Sequence, residues 1–259
     1  MQATARTPAF VERFVDAFWS LSQDRAGTHR VLPDGCIDFL FDLEDGSACV
    51  VGPMPTAELV LLPERTRLFG VRFRPGAASA FLDIEASELL ATEAPLAELT
   101  RAKRWALAER IASAANDAQR AEVVARFIAD AGVRRRPLDA RVQTAVAALA
   151  CDAPASVRAA AESVGVSERQ LERLFRERVG VSPKQYARIA RLQRAVSIDR
   201  AASIRSQAEL AAQAGYADES HLLRDFRDLA GISPSALRLE RDVGFVQGGA
   251  GAGTLGVAP

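Results

Sequence analysis

The sequence predicts an α+β protein. A small antiparallel β domain, sandwich or half-barrel, with flanking helices precedes an all-α domain in which a linker helix joins two helix–turn–helix units. Three observations predict it. Between residues 31 and 76 short apolar runs alternate with turn formers. From about Ala77 onward the apolar spacing becomes helical and Ala-rich. A stretch of the later region then occurs twice, at 165–183 and at 215–234.

Composition sets the class. The 259 residues are 49% apolar and 25% charged, which excludes disorder as the main state. No run of about eighteen apolar residues offers a bilayer span. The N-terminus, with Glu12 and Asp16 close behind Arg6, lacks the basic-then-apolar build of a secretion signal, so a cytoplasmic protein without membrane contact is expected. Cys36, Cys49 and Cys151 are odd in number and far apart, and His29 and His221 are the only imidazoles; neither a disulfide framework nor a metal or other cofactor is expected.

The elements follow in order. Phe10–Leu21 carries Phe10, Phe14, Val15, Phe18 and Trp19 and reads as an amphipathic segment packed on the β domain. Pro33-Asp34-Gly35, Glu44-Asp45-Gly46, Gly52-Pro53, Pro63-Glu64 and Pro75-Gly76 then punctuate an antiparallel meander. In Cys36–Leu43, Ile37, Phe39, Phe41 and Leu43 share one face and Asp38 and Asp42 the other; Phe69, Val71 and Phe73 likewise alternate with Arg72 and Arg74. Phe39, Phe41, Phe69, Val71 and Phe73 are the expected core. Helices, including Trp105–Ala115 and Arg120–Gly132, fill the rest of the domain, and no further strands are expected. Arg134-Arg135-Arg136-Pro137 reads as a joint between a domain at 1–134 and one at 135–247, with phosphate contact as the alternative. Gly248–Pro259, Gly-rich and uncharged, reads as a disordered tail.

The net charge of zero hides a division. Residues 1–136 hold 17 basic and 19 acidic groups, and 137–247 hold 16 and 14. Within the second half, Arg158–Arg205 carries 11 basic and 5 acidic residues, whereas 206–247 carries 4 and 7. A local basic block attracts phosphate even in a neutral protein.

GVSERQLERLFRERVGVSP at 165–183 is echoed by GYADESHLLRDFRDLAGISP at 215–234, with Phe175 and Phe226, Gly180 and Gly231, and Pro183 and Pro234 each 51 residues apart. Each copy reads as helix, tight turn, helix. In the first, Ala160, Ala161 and Val164 lie on the leading helix, Gly165 turns, and Ser167 with Gln170 makes a capping box. Leu171, Leu174, Phe175 and Val179 then form a buried stripe, which leaves Arg169, Glu172, Arg173 and Arg176 on the open face. In the second, Ser206 and Glu209 cap, Gly215 turns, Asp218 caps, and Leu222, Phe226 and Leu229 face inward. A connecting helix of about 18 residues spans about 27 Å, so both reading helices fit two successive major grooves about 34 Å apart.

Residues 140–240 resemble the bipartite DNA-binding domain of AraC/XylS transcription regulators. The pattern is an Ala-rich helix, Gly, a capping residue, Leu-x-x-Leu-Phe and Gly-x-Ser-Pro, with a second copy opening Gly-aromatic-x-Asp. The resemblance implies base contacts from Arg169, Glu172 and Arg173 in the first unit and from Glu219, Ser220, His221, Leu223 and Arg224 in the second. RVLPDGCIDFLFDL followed by LFGVRFRPGA is similar to an uncharacterised domain that precedes this DNA-binding domain in many regulators, and by analogy implies a sensor or dimerisation role.

Other side chains have two readings. Arg173 reads a base or phosphate, or pairs with Glu177; His221 reads a base or sits on a solvated face. Cys36 is a structural thiol, since no His or second Cys in its motif would activate it. Asp34, Asp38 and Arg72 form either the wet face of a sheet, which alternation favours, or the lining of an effector pocket. The expected function is a sequence-specific DNA-binding regulator, activator or repressor, responsive to an effector through its N-terminal domain. Its expected partners are double-stranded DNA, a small-molecule effector, a second copy of the chain and RNA polymerase. The alternative is an enzyme or small-molecule-modifying domain fused to a DNA-binding module. Residues 1–136 contain no phosphate-binding Gly motif, metal-ligand spacing or nucleophile–base pair, so no catalytic residue is expected.

Overall fold

The computed structural model describes residues 9–99, 106–131, 137–201 and 206–243. The expected joint at Arg134-Arg135-Arg136, Trp105 and the tail Gly248–Pro259 lie outside them.

Two antiparallel sheets build the N-terminal half. Strands β1 (Val15–Gln23), β3 (Ile37–Asp42), β4 (Ala48–Val51), β6 (Thr66–Phe73) and β7 (Glu93–Pro95) form one, in the order β1-β6-β3-β4-β7. Strands β2 (Gly27–Val31) and β5 (Glu58–Leu62) form a separate ribbon. The expected meander survives only as the β3–β4 hairpin. Because β2 and β5 leave the main sheet, β6 closes between β1 and β3 instead.

The segment expected to pack on the sheet joins it. After a turn at 9–14, β1 pairs with β6 along its length, with a bulge between Val15 and Ala17 that obscures the period of two. Pairing satisfies backbone groups that a merely packed segment would leave bare. β7, in a region expected to hold no strand, runs from Cys49↔Pro95 to Val51↔Glu93 and is too short to show a period.

Alternation gives the main sheet two unlike faces. On one, Phe39, Phe41, Phe69, Val71 and Phe73 are buried as expected. They pack beneath α1 (Leu96–Leu99), α2 (Leu107–Ala112) and α3 (Asp117–Ala131), which contribute Leu96, Leu107, Ile111, Val124, Phe127 and Ile128. Ring contacts run from Phe39 to Phe73 at 4.6 Å, on to Phe81 at 5.4 Å and to Phe127 at 5.8 Å. The opposite face, with Trp19, Asp38, Leu40 and Arg72, looks toward the β2–β5 ribbon.

The C-terminal half is helical: α4 (Ala140–Ala150), α5 (Val157–Ser163), α6 (Glu168–Arg178), α7 (Pro183–Ala201), α8 (Gln207–Ala214), α9 (Glu219–Asp225) and α10 (Pro234–Val243). A π-helical turn, Phe226–Ala230, prolongs α9. The duplicated sequence builds two cores. Val142, Ala160, Leu171, Leu174, Phe175 and Tyr186 belong to the first; Leu192, Val196, Leu210, Leu222, Phe226 and Leu237 belong to the second. α7 has 19 residues and spans about 28 Å, and it supplies Tyr186 to one core and Leu192 to the other.

Candidate DNA-binding interface and N-terminal cavity

In the first unit the capping box forms as expected: Ser167 Oγ accepts from the Gln170 N–H at 3.3 Å, and Gln170 Oε1 accepts from the Ser167 N–H at 2.9 Å. That closes the start of α6 and fixes which face it buries. Arg169, Glu172, Arg173 and Arg176 all lie exposed on the other face. Arg176 pairs with Glu172 at 2.8 Å and Arg173 with Glu177 at 3.6 Å. The Arg173 side chain is 72% exposed, so this pair is worth little and leaves the guanidinium free to exchange partners.

The second unit repeats the caps but not the chemistry. Asp218 accepts from the His221 N–H at 2.7 Å. Glu219, Ser220 and Arg224 are exposed, whereas Leu223 and His221 are half-buried. The His221 ring meets Tyr216 edge-on at 5.1 Å, and its Nε2 lies 4.0 Å from Asp225. Asp225, 2% exposed, accepts from Arg188 Nε and Nη2 at 3.0 and 2.8 Å. The Arg191 guanidinium stands 5.0 Å over the Tyr216 ring, and its Nε is 3.8 Å from the second Asp225 oxygen. Asp225 Oδ2, Arg191 Nε and the Tyr216 hydroxyl are buried without hydrogen-bond partners. Burial raises the Tyr216 phenol above its ordinary pKa.

Sequence reasoning missed Arg188, Arg191 and Arg194. Their signal was a spacing of three along α7, which lays them on one strip. Arg194 donates to the carbonyls of Ala150 at 2.8 Å, Ala214 at 3.4 Å and Cys151, and so clamps the C-terminal ends of α4 and α8 together. With Lys184, His221 and Arg224 these arginines line a groove of about 630 Å³ between the units. Basic side chains thus continue from the linker helix into the second unit, whose segment alone is acidic.

The N-terminal half contains a cavity of about 320 Å³ between the main sheet and the β2–β5 ribbon. Trp19, Leu21, Leu40 and Leu68 from the sheet face Val31, Val60 and Leu62 from the ribbon. Asp34, Asp38 and Arg72 come together in its wall. Arg72 Nη2 lies 3.0 Å from Asp38 and its Nη1 3.3 Å from Asp34. The wet-face expectation for these three is therefore corrected, because the ribbon covers them and Arg72 is 6% exposed. Burial raises the Asp38 carboxyl above its ordinary value against the opposing pull of Arg72. Cys36 shares the wall, and burial, reinforced by Asp34, holds its thiol well above the ordinary value, which favours the protonated form. The Cys49 thiol is pushed up to about 12 by burial and its hydrogen bond with Glu93.

The cavity wall runs directly into the DNA-binding half. Arg30 lines the cavity, yet its Nε and Nη2 bind Glu240 of α10 at 2.8 and 3.0 Å, and its Nη1 donates to the Ala230 carbonyl at 3.1 Å. Two residues on, Leu32 is 1% exposed and sits in the core of the second unit. Gln193 of α7 donates to the Pro33 carbonyl at 2.6 Å, and Gln185 to that of Pro55 at 2.8 Å. The Ala57 N–H donates to Leu229 in the π-helical turn at 2.7 Å. On the first unit, Gln143 donates to the Pro75 carbonyl at 3.1 Å.

Residues 160–240 match the family described as Helix-turn-helix domain, and residues 6–95 match a Domain of unknown function (DUF6597). No curated protein matches the chain. Among solved structures, a transcriptional regulator from Chromobacterium violaceum with an AraC-type DNA-binding domain is 31% identical, over 39% of this chain and 91% of that one, with a TM-score of 0.36. An apo variant of ToxT from Vibrio cholerae is 14% identical over 88% of this chain and 97% of its own, with a TM-score of 0.45. Wild-type ToxT bound to an unsaturated fatty acid is 13% identical over 86% and 94%, with a TM-score of 0.43. The 31% identity and the match over 160–240 carry the relationship. Among the described residues no helix is long and apolar enough to cross a membrane. Two capped helix–turn–helix units on one linker helix, with a basic open face on the first, are built for duplex DNA, and the chain belongs to the AraC-type DNA-binding transcription regulators.

Proposed function

We propose that this regulator is controlled by a small molecule held in the cavity between the main sheet and the β2–β5 ribbon, with Asp34, Asp38 and Arg72 as binding residues. One observation carries the reading. The continuous segment 29–35 lines the cavity with His29, Arg30, Val31 and Asp34 and, between them, buries Leu32 in the core of the second helix–turn–helix unit. A ligand that displaces this segment changes the contacts on α10 and α7, which is the differential interaction that a ligand-driven switch requires.

The bases are read by Arg169, Glu172, Arg173 and Arg176 of α6 and by Glu219, Ser220, His221, Leu223 and Arg224 of α9. Division of the chain at 134/135 is supported by the change of core between α3 and α4. Family membership supports action in the cytoplasm, self-association, contact with RNA polymerase and a non-catalytic role.

The test is DNA affinity of the full chain by fluorescence anisotropy before and after Leu32→Ala. Removing this buried side chain costs about 2–5 kcal/mol of local packing and loosens the second unit from the cavity wall. A shift of operator affinity with the first unit still bound supports the coupling; unchanged affinity at every salt concentration removes it. Sedimentation of the full chain with and without operator DNA decides self-association.

A further inference from the structure

Resting on the effector-cavity reading, we infer that the cavity takes a small cationic ligand with an apolar body, an organic amine whose ammonium pairs with Asp34 and Asp38 and whose acceptor group meets the Trp19 indole N–H.

The charge inventory of the wall comes first. Asp34, Asp38, Glu58 and Glu93 are the lining carboxylates; Arg30 and Arg72 are the lining guanidiniums. Arg30 is committed outward to Glu240 and the Ala230 carbonyl, so its charge is spent outside the cavity. Arg72 is shared by two carboxylates whose side chains are only 13% and 14% exposed. One guanidinium against two buried carboxylates leaves a surplus negative charge under the ribbon, where water screens it poorly. Both Asp38 oxygens and one Asp34 oxygen already hold Arg72, and the other Asp34 oxygen accepts from the Cys36 N–H; an added anion meets no free guanidinium, whereas an added cation meets the second carboxylate charge and oxygens with lone pairs to share. Burial raises the Asp38 carboxyl, with Arg72 opposing the shift and the neighbouring Asp34 adding to it.

The rest of the wall describes the body of the ligand. Leu21, Leu40, Val60, Leu62 and Leu68 are apolar, and a volume of about 320 Å³ lies at the small end of ligand pockets, about 300–1,000 Å³. Trp19 lies over Gly70, and its buried Nε1 has no acceptor. A buried donor without a partner is costly, and a ligand acceptor at that point recovers the loss. Trp19 lines the same cavity as the carboxylates, and an indole face attracts ammonium groups.

The experiment compares three probes of like size on the full-length protein by calorimetry and thermal shift: phenethylamine, 2-phenylethanol and phenylacetate. The amine is expected to bind and raise the melting temperature, with affinity at least about tenfold above the alcohol and with phenylacetate weakest. Asp38→Asn is expected to remove the amine's advantage over the alcohol while leaving the alcohol unchanged. Should that variant not fold, Asp34→Asn serves the same comparison. The acceptor is tested with tyramine, whose phenol oxygen can accept from the indole N–H: it is expected to bind more tightly than phenethylamine to the native protein and no more tightly to Trp19→Phe, and equal binding of the two amines to the native protein would overturn the Trp19 contact. Equal affinities for amine and alcohol, tighter phenylacetate, or no binding by any probe would overturn the assignment. Operator affinity measured in parallel separates this inference from the reading beneath it: selective amine binding without an effect on DNA supports the ligand class and counts against effector control, whereas a DNA response to phenylacetate alone overturns the ligand class.

Discussion

The two helix–turn–helix units descend from one repeated sequence and are held in different ways. The first is basic, closes on an apolar core and rises on a full capping box; the second is acidic, rests on the Asp225–Arg188–Arg191 cluster and ends in a π-helical turn. The first touches the N-terminal half by close packing around Gly180 and a hydrogen bond from Gln143, and the second through the buried Leu32, hydrogen bonds and the Arg30–Glu240 ion pair. Packing contacts are short-ranged and unforgiving, whereas exposed polar contacts exchange with water at little cost. The duplication therefore gives the first unit a contact with no room for an added atom at Gly180 and the second a contact whose ion pair reaches water only at Glu240, and it is the second unit that the cavity segment grips.

The matched glycines test this most severely. Gly180 and Gly231 both have positive φ, 90° and 73°. A Cβ on Gly180 would stand 2.5 Å from Pro53 and 2.8 Å from the Ala86 carbonyl oxygen; on Gly231 it would meet only Arg30 Nη1, at 3.4 Å. Gly180→Ala should therefore cost about 1–2 kcal/mol of backbone strain plus about 1–3 kcal/mol of overpacking, and Gly231→Ala the first part alone. Thermal denaturation of the two variants measures the gap, and equal losses would mean that the first unit is no more tightly packed on the N-terminal half than the second.

Asp225→Ala comes next. It takes a partner from Arg188, which keeps Asp228 at 2.9 Å, and leaves Arg191 without its carboxylate; both are about three-quarters buried, and the loss should cost about 2–4 kcal/mol, below the full penalty of a deeply buried pair because Asp228 remains and water reaches both arginines. Hydrogen exchange should show α9 losing protection while α6 keeps it. Loss spread evenly over both units would show one cooperative body.

For DNA, Arg173→Ala should cost about 1–3 kcal/mol on the specific site and relax preference at one base position. Neutralising Arg169, Arg173 and Arg176 should flatten the salt dependence more than neutralising Arg224 and Arg227. Equal slopes by anisotropy would pass the phosphate contact to the linker-helix arginines, which charge counting by segment assigned to the first unit alone.

Much of this was legible. Fixed offsets of Gly, Ser and Phe announced both units, because caps and turns demand particular residue types, and the core phenylalanines followed from alternation. The cavity was not. Asp38 and Arg72 sit where alternation puts polar residues on a solvated face, and only the departure of β2 and β5 from the main sheet covers them. Strand pairing between distant segments leaves no local pattern, and the bulge at Val15/Ala17 hid β1 in the same way. Leu32, between Val31 and Pro33, gave no sign that it belongs to the core of the second unit.

The smallest effect concerns the ionic tether itself. Hydrogen bonding from Arg30 holds the Glu240 carboxyl below its ordinary 4.5. A depressed carboxylate contributes its stability above the unfolded value and loses it as pH falls through the lower folded one. Acid should therefore release α10 from Arg30 below about pH 4.5, and Glu240→Gln should remove that dependence. Glu240 is 40% exposed, so the contribution is at most about 1 kcal/mol. Global melting is a poor readout, because Asp139, which caps α4, is also depressed and weakens the first unit over the same range. Protection of the Ala57 amide, bonded to Leu229, reports docking of the second unit directly. An acid-labile Ala57 amide in the native protein beside a pH-independent one in Glu240→Gln would place the release at this pair; identical pH profiles would leave the second unit held by Leu32 and the backbone bonds alone.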